Sequence, residues 1–125
     1  MAIIVYNRTK EDHSSHPNNV PIFRPNVLGN PFSHIKDKVT LAKYVVPTRE
    51  EAIERYSDYF DAMYGSNIKF TKEVDRIYDL YKRGETVYLE CYCHPQRCHG
   101  DVIVEKLRSR LIKEKIDNLK LLKKN

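Results

Sequence analysis

Apolar positions along this 125-residue chain follow two periods. Ala2 to Tyr6 is a short continuous apolar run and reads as a buried strand. Thr86 to Cys93 is β-branched and aromatic, which predicts a second strand. Val87, Leu89, Cys91 and Cys93 share one of its faces; Tyr88, Glu90 and Tyr92 share the other. Elsewhere the spacing is helical. Thr48-Arg49-Glu50-Glu51 is a capping box, in which the threonine hydroxyl takes an exposed amide and the glutamate reaches back. Ala52, Ile53, Tyr56, Phe60 and Met63 then recur on one helix face, and Gly65 stops the helix. A second helix is expected from Thr71, with Val74, Ile77, Tyr78 and Tyr81 on its apolar face and Gly84 at its end. A third runs from about Gly100. Ile103, Leu107 and Leu111 form its core stripe, and Ile112, Ile116 and Leu119 are expected to continue it.

Residues 7 to 47 break both periods. They hold Pro17, Pro21, Pro25, Pro31 and Pro47, with turn formers between them. Short extended pieces are expected around Val20 to Phe23 and Val39 to Val46. A connection this long inside a compact domain is commonly functional.

Strands alternating with helices define an α/β class. The expected architecture is a small Rossmann-like layered domain with a short, mainly parallel sheet flanked by helices, in two or three layers. The domain spans residues 1–112, and residues 113–125 form a basic helical extension. Parallel sheets bind ligands beyond the C-terminal ends of their strands. Tyr6-Asn7 and Cys93-His94 lie at such ends, so the long loop and the Cys/His loop are expected to meet at one crevice.

Composition narrows the setting. The length fits one domain with its own core. Hydrophobic content of 41% excludes intrinsic disorder as the default. No apolar run approaches the roughly 20 residues a membrane span needs. The N-terminus lacks the basic flank of a signal peptide. The cytoplasm is the expected compartment. Three cysteines within residues 91–98 make a poor disulfide framework but a credible reactive or metal-binding cluster. The net charge of +5 is concentrated at the end, where Lys106 to Asn125 carry eight lysines and arginines against Glu114 and Asp117. Such a tail either meets nucleic acid or complements a helix macrodipole.

The unusual chemistry sits in Cys91-Tyr92-Cys93-His94-Pro95-Gln96-Arg97-Cys98-His99-Gly100-Asp101. Three readings stand. Cys91, Cys93, Cys98 and His99 or His94 could hold zinc, although C-x-C on a strand departs from the usual C-x₂-C pairs. Alternatively Cys98 is a reactive thiol, lowered in pKa by the helix N-terminus and by Arg97, with His99 as acid or base. Gly100 would then admit a ligand close to the backbone, and Asp101 would orient sugar hydroxyls or a water. In the third reading inward-facing cysteines, Cys91 above all, are core.

The long loop offers a second group. Arg24 can grip a carboxylate or phosphate with two hydrogen bonds. Gly29-Asn30-Pro31 is a turn in which Gly29 is expected at positive φ and Asn30 is extended before proline. Phe32 can stack on a base or pack in the core. His13, His16 and His34 are expected on the surface. Of the nine tyrosines only Tyr88 and Tyr92 stand as candidate stacking rings.

Cys91 to Ile103 resembles the hallmark C-[WY]-C-x-P-x-x-C-H-G-D-V of a family of uncharacterised domains found mostly in bacteriophages and bacteria. Arg24 to Phe32 resembles a second hallmark, an arginine shortly before G-N-P-[FW]. Arg49-Glu50-Glu51, with Tyr56 and Phe60, resembles a third. The resemblance covers about residues 3–112 and leaves the basic extension outside it. It implies a shared fold and site but carries no reaction. More distantly, the chain resembles Rossmann-type nucleotide-processing domains, which implies a nucleotide or similar small anion. Arg24 and the amides of His99 to Val102 would hold it, with Cys98 or His99 reacting in a hydrolysis or transfer. Two other expectations compete: a zinc-stabilised module that binds a host protein, and a nucleic-acid binder working through the tail.

Overall fold

The computed structural model describes residues 2–33, 44–94 and 96–124. The element order is β1 (Ala2–Asn7), β2 (Asn19–Pro21), β3 (Phe32–Ser33), β4 (Tyr44–Val45), α1 (Arg49–Met63), α2 (Ile68–Lys82), β5 (Thr86–Cys91) and α3 (His99–Lys124). The fold is a mixed α/β domain around a short parallel sheet of order β1-β5-β2. β3 and β4 pair in parallel as a separate two-stranded ladder.

Strand alternation sorts the sheet into two unlike faces. Ile3, Val5, Val20, Val87, Leu89 and Cys91 are buried in one cluster with the helices. The other face carries Ile4, Tyr6, Tyr88 and Glu90, and the turns after β1 cover part of it. His13 stacks on Tyr88 at 4.2 Å between ring centroids and meets Tyr6 edge-on. His13 stays at the surface, partly covered, with its side chain 35% exposed. Glu90, only 5% exposed, accepts from Asn19 and pairs with Arg8 at 3.3 Å, which satisfies a carboxylate that burial would otherwise penalise. Helices on one face give two layers among the described residues.

The helix α1 begins with the threonine half of the capping box, Thr48 Oγ1 accepting from the Glu51 amide at 3.1 Å, while the Glu51 carboxylate pairs forward with Arg55 at 3.3 Å. It buries Ala52, Ile53, Tyr56 and Phe60. The helix α2 starts at Ile68, not Thr71. Asn67 is the cap, its side chain accepting from the Phe70 amide at 3.0 Å, while the Thr71 hydroxyl donates to the Asn67 carbonyl within the first turn. Ile68 is 73% exposed, so the first turn lacks the apolar signal that marks a helix in sequence. Gly65 and Gly84 both adopt φ of +88°, the left-handed geometry that ends helices cheaply at glycine.

The second strand ends at Cys91, two residues short of the expected Cys93, because the chain turns there into the Cys/His loop. In α3, Ile103, Leu107 and Leu111 are buried as expected. Ile112, Ile116 and Leu119 are not: each is at least 46% exposed, since the helix has by then run past the layer it packs against. The extended piece expected at Val20 to Phe23 is β2, Asn19–Pro21. The piece expected at Val39 to Val46 is seen at Tyr44–Val45, and the rest of it, with His34, lies outside the described residues. Among the described residues no helix is long and apolar enough to cross a membrane.

Candidate functional site

Three parallel strands deliver their C-terminal ends to one edge of the sheet. Asn7, at the end of β1, is buried and ties this edge together. Its amide donates to the carbonyls of Tyr92 at 3.2 Å and His94 at 3.0 Å. Its carbonyl oxygen accepts from the Thr9 amide and hydroxyl. One side chain therefore fixes the path of the chain after β5.

The loop after β2 is held with equal economy. Arg24 donates to the carbonyl of Asn30 at 2.8 Å and, less closely, to that of Phe32. Asn30 is buried; its amide donates to Ala52 in α1, and its oxygen accepts from the Phe32 amide. Both ends of that side chain are thus spent on the fold. Pro31 is buried behind it, its carbonyl accepting from the Tyr44 amide. Gly29 does not take positive φ. It is glycine because a Cβ would come within 3.0–3.1 Å of Asn26 O and the Arg24 backbone. Tyr56, fully buried, donates to the Leu28 carbonyl at 2.7 Å and locks the loop onto α1.

The loops face each other across a crevice of about 320 Å³. Phe23, Arg24, Asn30 and Phe32 come from one side, and Cys93, Cys98 and His99 from the other. Phe32 stacks on Tyr44. Tyr92, 52% exposed, stands at the rim with its ring edge-on to Phe23. Arg97 joins the wall and has only long ion pairs, 3.6 Å to Glu50 and 3.8 Å to Glu105. Arg49, the first residue of α1, closes the third side.

The thiols divide the work unequally. The Sγ atoms of Cys98 and Cys91 lie 3.9 Å apart. As the shared donor, Cys98 is pushed far above the ordinary thiol range by its bonds to Cys91 and Cys93, with burial adding to the effect. Its S–H favours a thiolate on either neighbour. Cys91 is held down to about 6, first by the Cys98 S–H, and its own S–H, when present, is placed to donate to the Tyr6 carbonyl at 3.3 Å. Cys93 is lowered to a like degree. It is held down to about 6, first by the Cys98 S–H, then, against the cost of burial, by a hydrogen bond from Arg49 and the charges of Arg49 and Arg24. Cys93 is also half-exposed where Cys91 and Cys98 are buried. Cys93 is thus the less buried of the two thiols held low, Cys91 being the other.

The backbone of Cys98 is tied into the first turn of α3. The Asp101 carboxylate accepts from the Cys98 amide at 2.9 Å, and the Asp101 amide donates to the Cys98 carbonyl. Gly100 is buried; a Cβ there would stand 2.9 Å from Ile22 Cδ1 and 3.0 Å from Val5 Cγ1. That glycine lets the helix approach the sheet.

His99 is 8% exposed and meets Tyr56 edge-on. Its Nε2 is 2.6 Å from the Ile22 carbonyl. A carbonyl only accepts, so Nε2 carries the proton and Nδ1 is the free base. Burial pushes the imidazole down to about 4, and nearby Arg24 adds to the effect. At neutral pH it is uncharged.

Among the described residues, no group of three or more His, Cys, Asp or Glu side chains is placed to hold a metal ion. In the set Cys91, Cys93, Cys98 and His99, the imidazole is turned to the Ile22 carbonyl and Cys91 to that of Tyr6. Sequence reasoning missed Asn7, Arg49 and Tyr56 as site residues. Arg49 was legible as part of a capping box and of the third hallmark, but nothing local says that a helix N-terminus faces the cysteines.

The fold and crevice define a small α/β domain with a cysteine-rich site at the C-terminal edge of a parallel sheet. Residues 5–109 match the family described as Domain of unknown function (DUF4326), and the chain belongs to that family. No curated protein and no solved structure matches the sequence.

Proposed function

We propose that the crevice binds a small organic anion, a nucleotide or nucleotide derivative. The observation that carries this reading is the pairing of Arg24, Arg49 and Arg97 with the rings of Phe23, Phe32 and Tyr92 around one cavity of about 320 Å³. Guanidinium groups suit phosphate or carboxylate, and aromatic rings suit a base. The size falls at the lower end of small-molecule sites. The position supports the same reading, since Rossmann-type sheets hold nucleotides at this end of their strands.

The wall also carries groups suited to hydrolysis or transfer. A thiolate at Cys93 can act as nucleophile, and the neutral His99 imidazole as base. In this reading the guanidinium side chains of the wall grip the anion.

Thermal unfolding tests binding. Nucleoside mono- and diphosphates, with inorganic phosphate as the control, should raise Tm in the full chain, and Arg49→Ala should abolish the rise. Arg49 sits at the rim of the fold, so its loss leaves the core intact. No rise with any nucleotide at millimolar concentration would refute the reading.

A further inference from the structure

We propose that the C-terminal half of α3 docks on an anionic lipid surface, with Ile112, Ile116 and Leu119 entering the headgroup layer and the lysines beside them meeting its charge. The surface is separate from the crevice and does not depend on what the crevice binds.

The pattern of the helix carries it. With roughly 3.6 residues per turn, Ile112, Ile116 and Leu119 fall in one stripe along α3. All three are exposed, and the exposed Leu122 widens the stripe near the end of the helix. Lys113 and Lys120 flank it on one side; Arg108 and Lys115 flank it on the other. Lys123 stands in its line, one turn beyond Leu119. All five cations are exposed, and among the described residues none of them has an ion pair. The acidic residues of this segment are turned elsewhere. Glu114 pairs with Lys82 of α2 at 3.0 Å, and Asp117 falls on the side of the helix away from the stripe. Aliphatic groups are thus bordered by cations alone.

Charge and length select the partner. A second copy of this helix would bring its own lysines against these, which like charge opposes. A coiled coil with another helix needs an apolar seam of about three or more heptads, and residues 112–122 supply about one and a half. Nucleic acid would take the lysines and leave the aliphatic side chains in water. A bilayer surface uses both. The aliphatic groups sink below the headgroups, the lysine stems lie along them, and the ammonium groups meet lipid phosphate and carboxylate. The helix would lie along such a surface, since it is not apolar enough to cross one.

Vesicles of phosphatidylcholine with about one-third phosphatidylserine are the probe, and pure phosphatidylcholine vesicles are the control. At physiological salt the full chain should cosediment with the anionic vesicles, with a bound-to-free ratio at least tenfold above that on the neutral ones. Ile116→Ser combined with Leu119→Ser should lower that ratio tenfold or more; both side chains are exposed, so the core is kept. The chain has no tryptophan, so Leu119→Trp supplies a single reporter, whose emission should shift to the blue on the anionic vesicles. No cosedimentation of the wild-type chain would overturn the proposal, and duplex DNA bound at the same salt would then give the tail to nucleic acid. Vesicle binding that the serine pair leaves unchanged, or a reporter that stays in water while bound, would also overturn it, because the lysines would be acting without the stripe. A reporter already blue-shifted without lipid, in a chain that dimerises, would give the stripe to a second copy. Nucleotide-induced stabilisation is read separately and can survive any of these results.

Discussion

Arg49, the first residue of α1, and Cys93, in the loop after β5 and 44 positions further along the chain, line the same crevice. That placement joins an element read in sequence as a capped helix to one read as a cysteine cluster. The charge of Arg49 helps to hold the Cys93 thiol below its ordinary range.

The first prediction concerns thiol reactivity. With Cys93 held down to about 6, its alkylation by iodoacetamide should follow a titration midpoint near that pH. Cys98→Ala should raise the midpoint most, since the Cys98 S–H is the largest cause of the shift. Arg49→Ala should raise it by less. Alkylation rates across pH 5–9 read the midpoints directly, and a midpoint near the ordinary thiol value in the wild-type chain would show that Cys93 is protonated.

A second prediction follows from His99. Its folded pKa, about 4, lies below the ordinary 6.5. Between these values the unfolded chain binds a proton that the folded chain excludes, so stability falls as pH drops through that window and levels off below it. The full span amounts to at most about 3 kcal/mol. Urea unfolding at pH 4–7 should show this loss in the wild-type chain, with a smaller loss in His99→Gln. Equal slopes in the two proteins would mean that His99 is not a buried neutral base.

Two glycines make a third, comparative prediction. Gly29→Ala presses a Cβ against backbone atoms of Arg24 and Asn26, which have no rotamer to yield. Overpacking of this kind costs about 1–3 kcal/mol. Gly100→Ala meets side-chain tips of Ile22 and Val5, and alanine in the helix recovers up to about 1 kcal/mol. Gly29→Ala should therefore be the more destabilising of the two in chemical denaturation. The reverse order would place the close approach at the helix rather than in the loop.

Much of the fold is written locally. The cap at Thr48, the stops at Gly65 and Gly84, and the inward set Val87, Leu89 and Cys91 depend on spacing within a few residues, and the structure keeps them. The start of α2 is not local in that sense: Asn67 caps a first turn whose apolar residue, Ile68, points to solvent. Periodicity also ran too far in α3, where Ile112, Ile116 and Leu119 keep the helical spacing after the partner layer has ended.

The site was legible as a pair of loops and illegible in its roles. The motif located Cys93, Cys98 and His99 on one wall, and Arg24 and Phe32 on the other. It could not show that Asn30, Gly100 and Asp101 are used by the fold, because their partners Ala52, Ile22 and the Cys98 amide are set by packing. Helix-terminus logic assigned the low pKa to Cys98. Tertiary contacts moved it to Cys91 and Cys93, since one buried S–H shared between two thiols must belong to the donor.

The most direct test of the central claim is the rate of Cys93 alkylation with and without saturating nucleotide. A nucleotide seated among Arg24, Arg49 and Arg97 covers the Cys93 sulfur, so the rate should fall by tenfold or more. The protection should vanish in Arg49→Ala. An unchanged rate across a panel of nucleoside mono- and diphosphates, with the protein folded throughout, would contradict binding in this crevice.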